Sequence, residues 1–397
     1  MNAQELKKAI IDEAKAIEDY VISVRRHIHQ YPETAFEEAQ TSHFIEQELH
    51  KIGYEDIRSV AKTGLIATLR SEEDGKTVAL RADFDALNVQ EENDVPYRSR
   101  IPGKMHACGH DAHTAMLLGA AKILFNNKEH LTGTLRLIFQ PAEEDGGGGK
   151  LIVEEGHLDD VDATFAIHVW MHLPAGTIAT RKGAMLASAD DFSITVKGKG
   201  GGAAAPQYAI DPTAVLADIY NALQKIVSRE IDPFANVALT APMWEGSNAF
   251  NIIPNEAKLK GTFRTMDVDI RNHIRTRIEQ IVKGYCQAWR CEGSVDFDTT
   301  VSYPPLLNDT VAVDNLKRII QPLDTVTTLK PSMGSEDFTF YLDKAKGAMI
   351  ALGIHNEEKG IVYPNHHPCF DVDEEVLWKG SAIYAILGFY GLFASET

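Results

Sequence analysis

Thiol, imidazole and carboxylate side chains recur in this chain at spacings that suit metal coordination. The run Met105-His106-Ala107-Cys108-Gly109-His110-Asp111-Ala112-His113 sets Cys108 two residues from His110 in a glycine-containing loop that enters a helix. Gln140-Pro141-Ala142-Glu143-Glu144 carries paired acids, and Asp83-Phe84-Asp85 carries two more. His168 follows an apolar run, and Asn365-His366-His367-Pro368 adds a late imidazole pair. Together these donors suit zinc, with manganese, cobalt or nickel as alternatives. Each has an ordinary explanation when taken singly. A lone Cys108 would be a buried apolar residue, Glu143-Glu144 a solvated acidic pair, and a His or Asp at a strand end a cap. Their convergence argues for metal. Gly146 to Gly149 before Lys150 do not form a phosphate cradle, because Leu151 stands where Ser or Thr is required. His27, His29, His43, His50, His130 and His157 read as surface or structural histidines.

The elements around them explain the convergence. Residues 4 to 30 and 37 to 52 have helical spacing, broken at Tyr31-Pro32 and closed by Gly53. Strand-length apolar runs then alternate with helices: Thr77 to Ala82, helix Ala112 to Phe125, Thr134 to Phe139, and Ala163 to Ile167. The pattern resumes with a buried strand, Ala348 to Ile354, and a final helix from Glu374 to Phe393. Such alternation predicts an α/β fold with a mostly parallel sheet, whose binding crevice lies beyond the strand ends. The three early strands run into Asp83 to Asp85, Gln140 to Glu144, and His168. Between Leu186 and Val301 the pattern changes to β-α-β-β-α-β: strand 191–200, helix 211–229, strands 235–244 and 256–265, helix 268–289, strand 293–301. That order is the split βαβ, ferredoxin-like arrangement. It predicts an inserted α+β domain at 187–301, between catalytic-domain parts at 1–186 and 302–397.

Composition narrows the function classes. A length of 397 residues exceeds what one core usually organises, and a hydrophobic fraction of 44% can fill two. Lys plus Arg number 39 against 57 Asp plus Glu, a net charge of -18 that repels nucleic acid and anionic membranes. No run approaches the ~18 apolar residues of a membrane span. Acids scattered through the first 33 residues make a surface helix there, not a signal peptide. Cys108, Cys286, Cys291 and Cys369 make no disulfide framework, so a cytoplasmic location is expected, with Cys286 and Cys291 structural.

The motifs ALRADFDAL, MHACGHDAH, FQPAEE, AIHVW, GTFRT, GSEDF and HHPCFDVDEE occur in family order over nearly the whole chain. In them the sequence resembles the amidohydrolase branch of the co-catalytic zinc peptidases. That branch includes bacterial aminoacylases, hippurate hydrolases, acetyldiaminopimelate deacetylases and plant hydrolases of indoleacetyl-amino acids. The resemblance implies two divalent metal ions held by Cys108, His110, Glu144, His168 and His366. It further implies Glu143 as general base and Asp85 as the acid that orients a ligand. Asp83 stands where sister branches carry a metal-binding His. Asn251 of Asn-Ile-Ile-Pro and Arg264 of Gly-Thr-Phe-Arg match residues that grasp a substrate's α-carboxylate. The implied activity is hydrolysis of N-acyl amino acids, with a dipeptidase on the same site as the alternative. The inserted domain is implied as lid and homodimer interface.

One position departs from the family pattern. Gly198-Lys199-Gly200-Gly201-Gly202-Ala203 has Gly202 where the family's lid histidine stabilises the oxyanion. Removing one such donor typically costs a factor of ~100 to 1,000 in turnover. Impaired catalysis is therefore expected, and a catalytically silent, metal-bound binding protein is the competing expectation. No ligand is touched.

Overall fold

The computed structural model describes residues 1–297 and 302–394. Contacts divide the chain into two compact units. The first is Met1–Gly183 with Leu307–Lys330 and Asp337–Thr397; the second is Ala184–Leu306 with Pro331–Glu336.

The first unit is built on an eight-stranded sheet. Its strands are β1 (Ile57–Val60), β2 (Gly64–Arg70), β3 (Thr77–Asp83), β4 (Thr134–Gln140), β5 (Ala163–Pro174), β6 (Ile178–Thr180), β7 (Val326–Thr328) and β8 (Lys346–His355). Their order is β1-β2-β4-β3-β5-β8-β6-β7. The middle strands β4, β3, β5 and β8 run parallel, while β1 and β2 join antiparallel at one side. At the other side β6 runs antiparallel to β8 and parallel to β7. The near-continuous apolar strands, such as Ala348–Ile354, are buried, as expected of parallel strands covered on both faces.

Register decides what the strands deliver. Asp83 pairs with Gln140, Arg81 with Ala166, and Ala351 with His168, so Asp83, Gln140 and His168 come to one level of the sheet. Strand β5 continues to Pro174. His168 therefore lies within the strand and not just past its end, a correction to the sequence reading.

Helices α1 (Ala3–Ala16), α2 (Glu18–Gln30), α3 (Ala39–Ile52) and α4 (His110–Asn126) share the first unit's core with α5 (Leu377–Gly388). One helix was expected over 4–30. Ile17 instead leaves helical geometry at φ -103°, ψ 13°. Two short helices then bury separate apolar sets, Leu6, Ile10 and Ala14 on one and Val21, Val24 and Ile28 on the other. Helix α4 is buried nearly all round, which fixes the His110 end against the sheet. The final helix is likewise divided, with a tight turn at Glu374–Val376 before α5 and Tyr390–Ala394 after it.

The second unit has its own apolar core, with Phe192, Leu216, Leu259, Phe263, Ile274 and Ile278 among its members. Strands Asp190–Lys197, Val237–Glu245, Glu256–Thr265 and Glu292–Phe297 alternate with helices Pro212–Lys225 and Val268–Trp289 in β-α-β-β-α-β order. Numbered within the unit, the antiparallel strands lie 2-3-1-4. That is the split βαβ arrangement. The end of the expected last strand, 298–301, and the expected domain boundary at 301 lie outside the described residues. Among the described residues, no helix is long and apolar enough to cross a membrane.

Candidate metal centre

Cys108 reaches the site from the loop before α4. Gly109 is left-handed at φ +92°, and a Cβ there would collide with Val169, so only glycine lets the loop turn into the helix. The turn makes His110 the first residue of α4, with its ring against β3. Cys108 Sγ lies 3.7 Å from His168 Nε2. Cys108, His110 and His168 offer ligand atoms within 4.8 Å of one another, and so do Cys108, Glu144 and His366. These two groups share the thiol and together comprise five side chains.

Two of the five carry an orphaned atom. His110 Nε2 and Glu144 Oε1 are buried without a hydrogen-bond partner, which is costly unless something else occupies them. His110 Nε2 faces Glu144 Oε1 at 3.8 Å and Glu143 Oε2 at 4.0 Å. His366 Nε2 sits 3.3 Å from Glu144 Oε1. An unpartnered imidazole and carboxylate beside a thiol fit a divalent cation by donor chemistry. His366 has φ +69°, held by its N–H donating to Ala107 O at 2.8 Å. Its neighbour His367 is engaged elsewhere, stacked on Tyr363 and accepting from Cys369 N.

Other hydrogen bonds aim these groups. Asp85 Oδ1 and its backbone O lie 3.1 and 3.0 Å from His110 Nδ1, while Asp85 Oδ2 accepts from Glu144 N at 2.9 Å. One carboxylate thus orients two of the five. His168 Nδ1 lies 2.6 Å from Val169 O.

Asp83 and His113 were passed over as a pair. Asp83 Oδ2 accepts from Arg81 at 2.7 Å, and Asp83 Oδ1 lies 2.6 Å from His113 Nδ1. Val169 N donates to His113 Nε2 at 2.9 Å. With Nε2 accepting, the His113 proton sits on Nδ1 and is donated to Asp83. Both ring nitrogens are spent, so His113 has no free lone pair for an ion, although Asp83, His110 and His113 are close enough to form a group. The signal was available: His113 follows His110 by three residues on one helix face.

Burial and neighbours set the titrations. Burial drives His168 and His113 down to about 4 and the unpartnered His106 to about 3. It pushes the Cys108 thiol up to about 12, with Glu144 adding to the effect; a metal would be needed to hold it as thiolate. Against its own burial, the neighbouring His366 imidazole keeps Glu144 below the ordinary value. Burial also opposes ionisation of Asp111, yet Arg25 and His29, at 2.7 Å each, hold it well below the usual carboxylate range. His29 is thus structural.

A further buried acid, Glu38, was not singled out. Burial pushes its carboxyl up to about 7 from an ordinary 4.5. Folding takes up a proton between those values, so the stability that Glu38 contributes falls as pH rises from 4.5 to 7. Glu38→Gln is expected to raise the thermal midpoint above pH 7 by roughly 2 to 4 °C, with the gain vanishing towards acid pH. Melting curves from pH 4 to 8 check this; a difference independent of pH would contradict it.

The remaining sequence candidates lie in the second unit. Gly202 pairs with Ile252 in a two-stranded ribbon, and Ala203 N donates to Asn251 O at 3.1 Å, so Gly202 and Asn251 are neighbours. Both are exposed. Arg264, on strand Glu256–Thr265, directs Nη1 to Met333 O at 3.4 Å.

Comparison with known proteins gives a consistent family. The pattern of peptidase family M20/M25/M40 matches residues 79–387. Thermostable carboxypeptidase 1 of Saccharolobus solfataricus is 41% identical over 386 residues, covering 96% of this chain and 98% of its own. IAA-amino acid hydrolase ILR1-like 4 of Arabidopsis thaliana is 40% identical, covering 92% of this chain and 84% of its own. The crystal structure of the Bacillus subtilis YXEP protein, described as a dinuclear metal binding peptidase, superposes with a TM-score of 0.82 at 32% identity, covering 94% and 98%. The chain therefore belongs to peptidase family M20/M25/M40, within its amidohydrolase branch of enzymes that cut amide bonds.

Proposed function

We propose that this protein hydrolyses the amide bond of N-acyl amino acids at a two-metal centre held by Cys108, His110, Glu144, His168 and His366. The observation that carries this reading is the meeting of two three-residue groups on Cys108, with orphaned atoms on His110 and Glu144. The dinuclear metal of the Bacillus subtilis neighbour and the IAA-amino acid substrate in the name of the Arabidopsis relative support it. Zinc suits the mixed donor set best.

When bound, two divalent ions supply acidity to water and polarise the amide carbonyl. Glu143, 4.0 Å from His110 but outside the five donors, accepts the proton of the attacking water. It then delivers that proton to the leaving nitrogen, which departs as the free amine. Asp85 holds His110 and the Glu144 backbone in place throughout. We assign the substrate's α-carboxylate to Asn251 and Arg264, the guanidinium providing a planar, two-pronged grip. The second unit would serve as lid and as the face of a homodimer. Dipeptide hydrolysis on the same centre is the second reading, favoured by the carboxypeptidase relative.

A panel of N-acetyl, N-benzoyl and indoleacetyl amino acids beside simple dipeptides tests the proposal. Release of free amino acid from acyl substrates, abolished by a chelator and restored by zinc or manganese, is expected. Turnover confined to dipeptides would move the assignment to the second reading, and chelator-insensitive turnover would remove the metal from it.

A further inference from the structure

Helix α3 begins on an unusual residue. Glu38 occupies its N-cap, a position that favours Ser, Thr, Asp or Asn, and its side chain makes no capping hydrogen bond. Capping is done from outside by Glu33, whose carboxylate accepts from Gln40 N at 3.2 Å and Thr41 N at 2.8 Å. The Glu38 carboxylate is wholly buried and engaged elsewhere. Oε1 accepts from Ala142 N at 3.0 Å, and Oε2 accepts from the Thr63 hydroxyl at 2.7 Å.

Both partners adjoin strained backbone. Ala142 has φ +53°, and Ala61 and Lys62, just before Thr63, have +44° and +69°. Non-glycine residues hold such conformations only where surrounding contacts over-determine them. The Ala142 turn aims Glu143 and Glu144 into the site, with its carbonyl accepting from Gly148 N at 3.0 Å. The same connector stitches the Asp85 loop, since Glu33 O accepts from Ala86 N at 2.8 Å. A buried acid whose ionisation opposes folding above pH 4.5 is a stability cost of the kind found where function requires it.

We propose that Glu38 is a positioning residue, its carboxylate clamping the left-handed Ala142 turn against the Thr63 segment and so setting Glu143 and Glu144. The clamp rests on geometry alone; its consequence for metal rests on the function proposed above.

Three variants separate clamping from packing. Glu38→Met fills the volume without acceptors. Glu38→Gln keeps Oε1 for Ala142 N–H and donates its amide to Thr63, whose hydroxyl rotates to accept. Thr63→Val removes the hydroxyl alone. Amide hydrogen exchange, read by mass spectrometry on full-length protein, should accelerate at residues 139–148 by about tenfold or more in Glu38→Met, the signature of local opening. It should stay at the parental rate in Glu38→Gln, with 346–355 unchanged in all. Cobalt(II) titration on the same samples should show binding weakened by about 10- to 100-fold in Glu38→Met and restored in Glu38→Gln.

Parental exchange at 139–148 in a folded Glu38→Met overturns the clamp. Should that variant not fold, Thr63→Val decides: faster exchange at 139–148 supports the clamp and parental exchange overturns it. Faster exchange with parental cobalt affinity overturns the claim that the clamp sets the ligands. If the parent itself binds no cobalt, the metal reading fails, and the exchange result decides the clamp by itself.

Discussion

Gly202→His is expected to raise turnover of N-acyl amino acids by about 100- to 1,000-fold, the typical worth of one oxyanion donor. The position can accept the ring. A Cβ built on Gly202 meets nothing within 4 Å, and the backbone there is not left-handed. The ribbon pairing of Gly202 with Ile252 uses backbone only, so the substitution leaves it intact. Because the oxyanion develops in the transition state, the gain should fall on kcat and kcat/KM alike, with KM nearly unchanged. Gly202→Ala, which adds a methyl but no donor, should give no gain, and metal content should be equal in all three proteins. Steady-state kinetics on an N-acetyl amino acid checks this. A folded Gly202→His protein with no gain would favour the silent binding protein over the impaired enzyme.

Glu143→Gln, made in the Gly202→His background so that activity is easily measured, is expected to lower kcat by about 100- to 10,000-fold. Glutamine retains the shape of the side chain and cannot carry the proton. The five proposed ligands are unaltered, so bound metal should remain at the parental level. That separation is the informative part. Loss of metal together with activity would make Glu143 a ligand, and unchanged kcat would place the proton carrier elsewhere.

What the sequence made legible follows from what each signal measures. Apolar runs of strand length leading to Asp83, Gln140 and His168 were readable because burial on both faces of a parallel sheet keeps most strand positions apolar, with Arg81 and Arg136 as exceptions. His168 fell inside its strand because β5 continues through Val169, Trp170 and Met171 to Pro174, the imidazole interrupting the apolar run without ending it. The break at Ile17 was invisible, since both halves keep helical spacing and no proline or glycine marks the change. Within the site, Cys108, His110 and Glu144 stood out as ligand types in dense motifs. The residues that aim them did not. His113 and Asp83 hydrogen-bond across 30 positions, and Glu38 reaches Ala142 across 104. Such contacts depend on tertiary approach; spacing placed His113 on the same helix face as His110 but named no partner for it. Glu38 left one faint local clue, an acid without capping chemistry at a helix start. Gly202 was legible only through family resemblance, because a glycine in Gly200-Gly201-Gly202 looks ordinary by itself.

Elemental analysis of the metal-loaded protein after exhaustive removal of free ions tests the two-metal centre most directly. Two ions per chain are predicted for the parent, falling to about one in His366→Ala, where one of the two groups that share Cys108 loses its imidazole. Retention of no ion by a correctly folded parent, across zinc, manganese, cobalt and nickel, would contradict the account at its root.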